Sequence, residues 1–153
     1  MSLGAVAIIQ AAVDHLLAIG LFESVQGHET KSAPGNGLTC DVWLGPIKPV
    51  PANSGLATTS ALLTLIARVY ANATTEPVDE IETNVAGAVD ALMTAYSASF
   101  TFGGLVEYID LLGAHGQPLS ADPGYVTVGG VFFRCMTITV PCVIENAWAQ
   151  SPS

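Results

Sequence analysis

The chain has 153 residues, of which 50% are hydrophobic and 11% are charged, and its formal net charge is −9. This length suits one domain with a packed core, and the composition excludes a disordered or fibrous protein. The four cations, Lys31, Lys48, Arg68 and Arg134, are scattered, so they do not form the basic stripe that neutralises nucleic-acid phosphates. Ordinary nucleic-acid binding is therefore disfavoured, and the 13 acidic residues are expected to form a solvated surface.

The N-terminal segment predicts a helix. Apolar residues recur at helical spacing over Leu3–Leu21, and Gly20 supplies an end signal, so we expect this helix to pack on a sheet. The apolar run Leu3–Val13 is too short to span a bilayer, lacks a basic leader and is followed by Asp14 and His15, which argues against a signal peptide or membrane anchor. His15 is expected to be an exposed or half-buried helix residue and not a catalytic base.

Two strands and two long loops are expected next. A short strand is predicted at Phe22–Gln26, and Leu38–Leu44 alternates apolar and polar residues as a half-buried strand does. The polar, Gly-rich stretch 28–37 and the Pro-rich stretch 45–56 are predicted to be long loops. Loops of this length in a compact domain are usually functional or mobile, and both alternatives stay open.

Residues 58–72 fit two kinds of secondary structure. Leu62 and Ile66 have helical spacing, whereas Leu63 and Leu65 would lie on one face of a strand. Periodicity leaves both alternatives open.

A second helix is predicted over residues 78–96, which place apolar side chains on one face. Four carboxylates, Glu76, Asp79, Glu80 and Glu82, gather near its start. Acidic side chains favour the positive end of the helix dipole, so the cluster has a structural explanation.

The segment after this helix predicts a strand and a turn. Residues Leu105–Leu111 alternate apolar and polar side chains, and Gly113–Pro118 breaks the pattern. Because Glu107 and Asp110 are three apart in a predicted strand, they are expected to face opposite sides.

A β-hairpin is predicted at the C-terminal end. Its strands are Tyr125–Val128 and Val131–Ile144, and the two glycines between them can adopt positive φ. Pro141 cannot donate a backbone hydrogen bond, which favours an edge or a bulge at that point. Residues 149–153 are expected to form a flexible tail.

The three cysteines are predicted to be buried free thiols in a reducing compartment. Cys135 and Cys142 are seven residues apart in a predicted strand and therefore point to opposite faces, and Cys40 leaves an odd number. No cluster of histidine and cysteine accompanies them, so no metal site is expected.

Catalytic chemistry has weak support. Nucleotide-binding glycine motifs, a serine-hydrolase elbow and a zinc-protease helix are all missing from the sequence. The best acid–base set would combine Glu107 or Asp110 with His115 and Asp122, but the first two are expected on opposite faces and His115 lies in a turn. We therefore predict no enzyme, no catalytic residue, no cofactor and no metal.

Aromatic residues could line a ligand cavity, but on strands and helices they more often fill the core, and core positions are expected. The residues concerned are Tyr70, Tyr96, Tyr108, Tyr125, Phe132, Phe133 and Trp148.

Several sequence pieces over Arg68–Gln150 resemble one family. They are RVY followed by an N-x-T-x-E-P segment, the helix AVDALMTAY, the turn FTFGG leading into VEYIDLLGAHG, and the GY…FFRCMTITVP hairpin. Together they are similar to the tail terminator (tail completion) proteins of long, flexible-tailed bacteriophages, particularly those infecting actinobacteria. None of these pieces is a catalytic motif.

The resemblance implies an α+β domain, with a mostly antiparallel sheet of about four to five strands packed against two main helices and with 58–72 as a strand. It implies a six-membered ring at the head-proximal end of the tail, assembled in the host cytoplasm and retained in the virion. The implied partners are the major tail tube protein, the head–tail connector protein and further copies of the chain, with no membrane. Loops 28–37 and 45–56 are candidate tube contacts, although the contact residues stay unknown.

A ring gives the acidity a second interpretation. Carboxylates facing the bore would repel the genome DNA, which passes without specific binding. Two alternatives to the terminator remain open: another neck or minor tail protein, and, in a different class, a small-ligand-binding or enzymatic α+β domain.

Overall fold

The computed structural model describes residues 3–29, 37–50, 57–73, 79–98 and 100–149, and within them the protein is an α+β domain. The elements in chain order are α1 (Ala5–Ile19), β1 (Ser24–Gln26), β2 (Thr39–Pro49), β3 (Thr58–Asn72), α2 (Asp79–Ser97), β4 (Tyr108–Ile109), β5 (Ser120–Val128) and β6 (Val131–Ala149). The predicted α+β class with two helices is confirmed. The described sheet has six strands, whereas four to five were expected. It is mixed, because β1 pairs with β2 in parallel.

Two long central strands organise the sheet. The strand order is β1-β2-β3-β6-β4, and β5 also pairs with β6. The β3–β6 pairing is antiparallel and extends from Thr58↔Ala149 to Asn72↔Phe133. On its other side β6 pairs first with β5 and then with β4, so the two short partners share one edge.

Residues 58–72 form strand β3, which resolves the ambiguity between helix and strand. Its odd-numbered side chains, such as Leu63 and Leu65, join the core beneath the helices, whereas Leu62 belongs to a separate cluster with Val50 and Val143. Both faces of β3 are buried, because the helices cover one face and the cluster of Leu62 with Val50 and Val143 lies on the other, and therefore its sequence has no clear polar side.

Both helices pack on one face of the sheet. From α1, Ile8, Ala12 and Leu16 are buried, and from α2, Leu92 and Tyr96 are buried in the same cluster. Gly20, with φ of 77°, donates its N–H to the carbonyl oxygen of Leu17 and ends α1 as a left-handed cap. The two predicted helices are therefore confirmed.

The chain turns sharply after α2. Phe102, Gly103 and Gly104 have φ values of 50°, 69° and 91°. Phe102 is buried, and its ring lies 4.6 Å from that of Phe100 and 6.0 Å from that of Tyr96. Positive φ is unfavourable for a bulky residue, so this aromatic packing must hold the backbone in place.

The prediction that 45–56 is a loop was wrong for its first part, because β2 continues to Pro49. The register passes from Leu44↔Leu65 to Ile47↔Leu63, so Gly45 and Pro46 together oppose one residue of β3. A β-bulge at this point accommodates the proline that suggested a loop.

The predicted strand Leu105–Leu111 was also wrong in extent. The strand is limited to Tyr108 and Ile109, flanked by backbone hydrogen bonds from Glu107 and Asp110 to β6, and residues 101–106 form the turn around Phe102. Alternation of polarity over seven residues therefore reflected a turn, a short strand and another turn in succession.

The C-terminal hairpin is confirmed but longer than predicted, because β5 begins at Ser120 and β6 ends at Ala149. Gly129 and Gly130 form its two-residue turn with φ values of 59° and 80°, as a type I′ turn requires. Ala149 pairs with Thr58, so the expected flexible tail does not begin there.

Pro141 lies in the central strand β6, and the expectation of an edge or a bulge at this residue was wrong. It pairs in register with Thr64 of β3. On the other side of β6, pairing with β5 ends at Thr139 and pairing with β4 begins at Cys142. The missing N–H of Pro141 is tolerated because the strand changes partner at this point.

Several predictions concern residues outside the described part of the chain. These are most of loop 28–37 (residues 30–36, with Lys31), residues 51–56 of the second loop, Glu76, and residues 150–153.

Candidate interaction surfaces

The turn after β4 is held by a buried carboxylate. Asp110 is 4% exposed, and its two carboxylate oxygens accept hydrogen bonds from the backbone N–H groups of Ala114 and His115, each at 2.8 Å. The Tyr108 hydroxyl lies 3.0 Å from Nε2 of His115. The sequence suggested a turn that nothing fixes, whereas this network fixes it.

The candidate acid–base residues do not form one site. Asp110 and His115 are brought together, but Asp110 contacts the backbone of His115 and not its ring. Glu107 is exposed before β4, and Asp122 is exposed on β5 opposite Thr137. The contact between Asp110 and His115 therefore stabilises a turn.

This turn displays two leucines, which we call the leucine tip: Leu111, 38% exposed, and Leu112, 95% exposed. Leu119 donates its N–H to the carbonyl oxygen of Leu111 at 3.2 Å, and Gly116 donates to Gly113 at 2.9 Å. Exposed apolar side chains are common singly, but here a nearly fully exposed leucine stands on a turn whose backbone is fixed by several internal hydrogen bonds.

A lysine from β2 lies beside the same turn. Nζ of Lys48 is 3.1 Å from the position that a Cβ would take on Gly116. Lys48 makes no ion pair within the described residues. The turn therefore combines an apolar tip with an adjacent ammonium group.

A groove of about 430 Å³ lies between α2 and the outer part of the sheet. We call it the α2 groove. Its apolar lining comes from Val85, Val89 and Met93 of α2, and from Ala121 and Met136 of the sheet. It exists because α2 covers β3 and part of β6, while β5 extends beyond the helix layer.

Two carboxylates, Glu82 and Asp90, also line the α2 groove. The carboxylate of Glu82 pairs with Arg134, whose Nε lies 3.1 Å from Oε2. This hydrogen bond lowers the pKa of the Glu82 carboxyl and raises the pKa of Arg134. Asp90 has no such ion pair among the residues described, so its charge is free to meet a partner.

An exposed aromatic pair borders the groove. The rings of Tyr125 and Phe132 stack with centroids 5.1 Å apart and an interplanar angle of 8°, and they are 62% and 47% exposed. The Arg134 guanidinium lies 5.1 Å from the Tyr125 ring centroid. Stacking and cation–π contact together hold these rings in place on the hairpin.

The sheet face opposite the helices carries a polar cluster. Arg68 lies 5.1 Å from the Trp43 ring centroid and donates from Nε to the Thr137 hydroxyl at 3.0 Å. Asp41, which is 3% exposed, is directly opposite Arg68 in the register. Burial raises the pKa of neighbouring Tyr70 to about 12, so its hydroxyl stays protonated at neutral pH.

A second groove of about 280 Å³ lies on this opposite face, lined in part by Lys48, Leu62, Thr64 and Gln117. Ligand pockets are typically roughly 300–1,000 Å³, so this groove is small for a pocket that encloses a ligand. The α2 groove, at about 430 Å³, falls within that range.

All three cysteines are buried and free, as predicted. Cys142 belongs to the core beneath the helices, and Cys135 packs with Tyr70 and Phe133 on the other face, which confirms the opposite orientations. Burial raises the pKa of Cys142 to about 12 and also raises the pKa of Cys40, so both stay as thiols.

The aromatic residues divide between core and surface. Tyr70, Tyr96 and Phe133 are core residues, as expected. The prediction was wrong for three others, because Tyr108, Tyr125 and Phe132 are exposed.

Within the described ranges, no group of three or more histidine, cysteine or acidic side chains could hold a metal ion. In the same ranges, no helix has the length and apolar character needed to cross a membrane.

Comparison of the sequence with models of known protein families finds no match, and comparison with characterised proteins finds no significant relative.

Sequence reasoning missed both the leucine tip and the α2 groove. The two adjacent leucines before Gly113 were a usable signal, because the alternating pattern ends there. The groove had no comparable signal, since it depends on how far α2 extends across β6.

Proposed function

We propose that this protein is a tail terminator of a long-tailed bacteriophage. It would form a ring on the head-proximal end of the tail tube, end tube polymerisation and join the tail to the head-side connector. The proposal begins from the sequence resemblance over Arg68–Gln150, which covers the end of β3 and every later element of the sheet.

The observation that carries the proposal is the large apolar surface on a small, open-edged domain. Among the described residues, β1 pairs only with β2, and β5 pairs only with β6, so each end of the sheet has an unpaired edge. Large hydrophobic residues are exposed on α1, on the leucine tip and on the hairpin, with Val6 84% and Leu112 95% exposed. Surfaces of this kind are typical of subunits that assemble.

The acidic surface fits the same role. We include in the proposal that exposed carboxylates facing the bore keep the DNA from adhering to the wall as it passes. The runner-up is another neck or minor tail protein, which would share the exposed surface and differ in the structure it binds.

The test is to add the purified protein to polymerising tail-tube protein and examine the products by electron microscopy. A terminator stops growth and leaves a ring at one end of each tube, so the mean tube length should fall as the ratio of terminator to tube protein rises. An unrelated acidic protein of similar size serves as the control.

Tubes of unchanged length without end rings would refute the terminator. Binding along the tube wall, or at the opposite end of the tube, would instead favour a different minor tail protein.

A further inference from the structure

The leucine tip lies on the turn between β4 and β5, beside Lys48, whereas the α2 groove lies on the sheet face that the helices cover. Met136 of the groove is on the face that the helices cover, as is its neighbour Ile138 two residues along β6. Lys48 beside the tip is opposite Leu62 in the register, on the other face. Leu112 is 95% exposed, so the tip of one copy does not fill the groove of the same copy.

The two surfaces match in apolar character. The tip offers Leu112, which is 95% exposed, on a turn fixed by the Asp110 carboxylate. The groove offers a lining of Val89, Met93 and Met136 in a space of about 430 Å³. Because the backbone of the turn is already fixed, only the side chain of Leu112 loses conformational freedom when it enters such a groove.

The two surfaces also match in charge. Lys48 beside the tip has no ion pair within the described residues, and Asp90 at the groove has none either. Glu82 adds a second carboxylate at the groove, already paired with Arg134. Lys48 at the tip of one copy would therefore meet the unpaired carboxylate of Asp90 at the groove of another copy.

We propose that the leucine tip of one copy inserts into the α2 groove of a second copy, with Lys48 of the first meeting Asp90 of the second. Because the two surfaces are different, the contact is head-to-tail, and repeated contacts close into a ring when the rotation between copies allows it. The inference rests on the proposed function, because this contact would join neighbouring copies in the proposed ring.

Two variants remove one surface each. Leu112→Asp places a charge on the tip, and because the side chain is exposed the fold should be unaffected. Ala86→Lys fills the groove from an exposed position of α2, and it sits four residues from both Glu82 and Asp90, a spacing that supports the helix. Each change should raise the dissociation constant for self-association by about tenfold or more, measured by sedimentation velocity.

Mixing the two variants gives the sharpest test. A Leu112→Asp copy keeps its groove and an Ala86→Lys copy keeps its tip, so an equimolar mixture can form one intact contact. We expect dimers in the mixture, nothing larger, and monomers of each variant alone. Carbodiimide, which joins contacting amines and carboxylates, should link Lys48 to Asp90 between isotopically labelled and unlabelled wild-type copies.

Matched controls change exposed residues outside both surfaces. Ala7→Asp on α1 and Asn84→Lys on α2 should associate as the wild type does. A wild type that stays monomeric at every concentration overturns the inference, as does full association of either surface variant. Tube capping is scored separately: capping that both variants retain refutes this contact alone, whereas self-association without capping refutes the terminator alone.

Discussion

His15 on α1 packs its ring against two aromatic residues. The ring centroids of Phe100 and Tyr96 lie 4.4 and 5.6 Å away. Its buried Nδ1 has no hydrogen-bond partner among the residues described. Burial lowers the pKa of His15, because the charged imidazolium would lose its hydration. The sequence-based expectation of a half-buried helix residue is confirmed.

We expect His15 to make the protein less stable as the pH falls. Its folded-state pKa is below the unfolded value of about 6.5, so the unfolded chain binds the proton first. The stabilisation from neutral His15 is complete above that value and is lost as the pH falls through the folded-state pKa. His15→Phe keeps the ring contacts and removes the titration, so its urea midpoint should fall less between about pH 7.5 and 5.5.

The effect should be small, because the ring is partly solvated. His28→Gln, at an exposed residue, is the matched control and should keep the wild-type slope. Identical slopes for wild type and His15→Phe would contradict the interpretation.

At the scale of the structural element, the turn between β4 and β5 depends on one carboxylate. Asp110 accepts two backbone hydrogen bonds, and both of its oxygens are used. Sequence alternation predicted a strand through Asp110, and it did not show that the side chain would be buried and turned toward residues 114 and 115.

Asp110→Asn should destabilise the protein by about 1–3 kcal/mol, because the amide has only one accepting oxygen and leaves one buried N–H unpaired. Urea unfolding measures this change. The amides of Ala114 and His115 should also exchange hydrogen faster, which locates the effect in the turn.

The control for this change is Asp122→Asn, at an exposed carboxylate on β5, which should stay within about 0.5 kcal/mol of the wild type. Equal stability and exchange for Asp110→Asn and the wild type would show that the carboxylate does not hold the turn.

At the scale of the whole molecule, an open sheet with helices on one face leaves much surface for contacts. The helices cover the strands from β1 to β6, while β5 extends past them and creates the α2 groove. The opposite face is closed by the bulged end of β2 and by the turn that carries the leucine tip. This arrangement accounts for the abundance of exposed apolar side chains on a single domain.

If the protein lines a passage for DNA, neutralising carboxylates that face the bore should impair DNA ejection and leave tail length unchanged. Exposed carboxylates to test are Asp14, Asp122 and Glu145, changed to their amides singly and together in a phage genome, because Asp14 is on the helix side of the domain and Asp122 is on the opposite face. Tail length by electron microscopy and ejection by release of labelled DNA are the measurements. Normal ejection with all three changes would count against an acidic bore formed by these residues.

The sequence by itself determined the helices, the hairpin and the class of the fold. Helical spacing in α1 and α2 and the glycine pair at 129 and 130 are local signals. Each was confirmed, because the structure that it predicts depends only on neighbouring residues or on the next turn of the helix. Local signals also separated the faces of Cys135 and Cys142, since alternation along a strand needs no partner.

Only the tertiary structure decided what depends on distant residues. Strand β3 has two apolar faces because segments distant in sequence cover both of them, and Pro141 was acceptable in β6 only because that strand changes partner there. The position of Lys48 beside Gly116 and the α2 groove likewise depend on how β2 and α2 pack against the rest of the chain. These features are set by packing between segments far apart in sequence, which periodicity does not record.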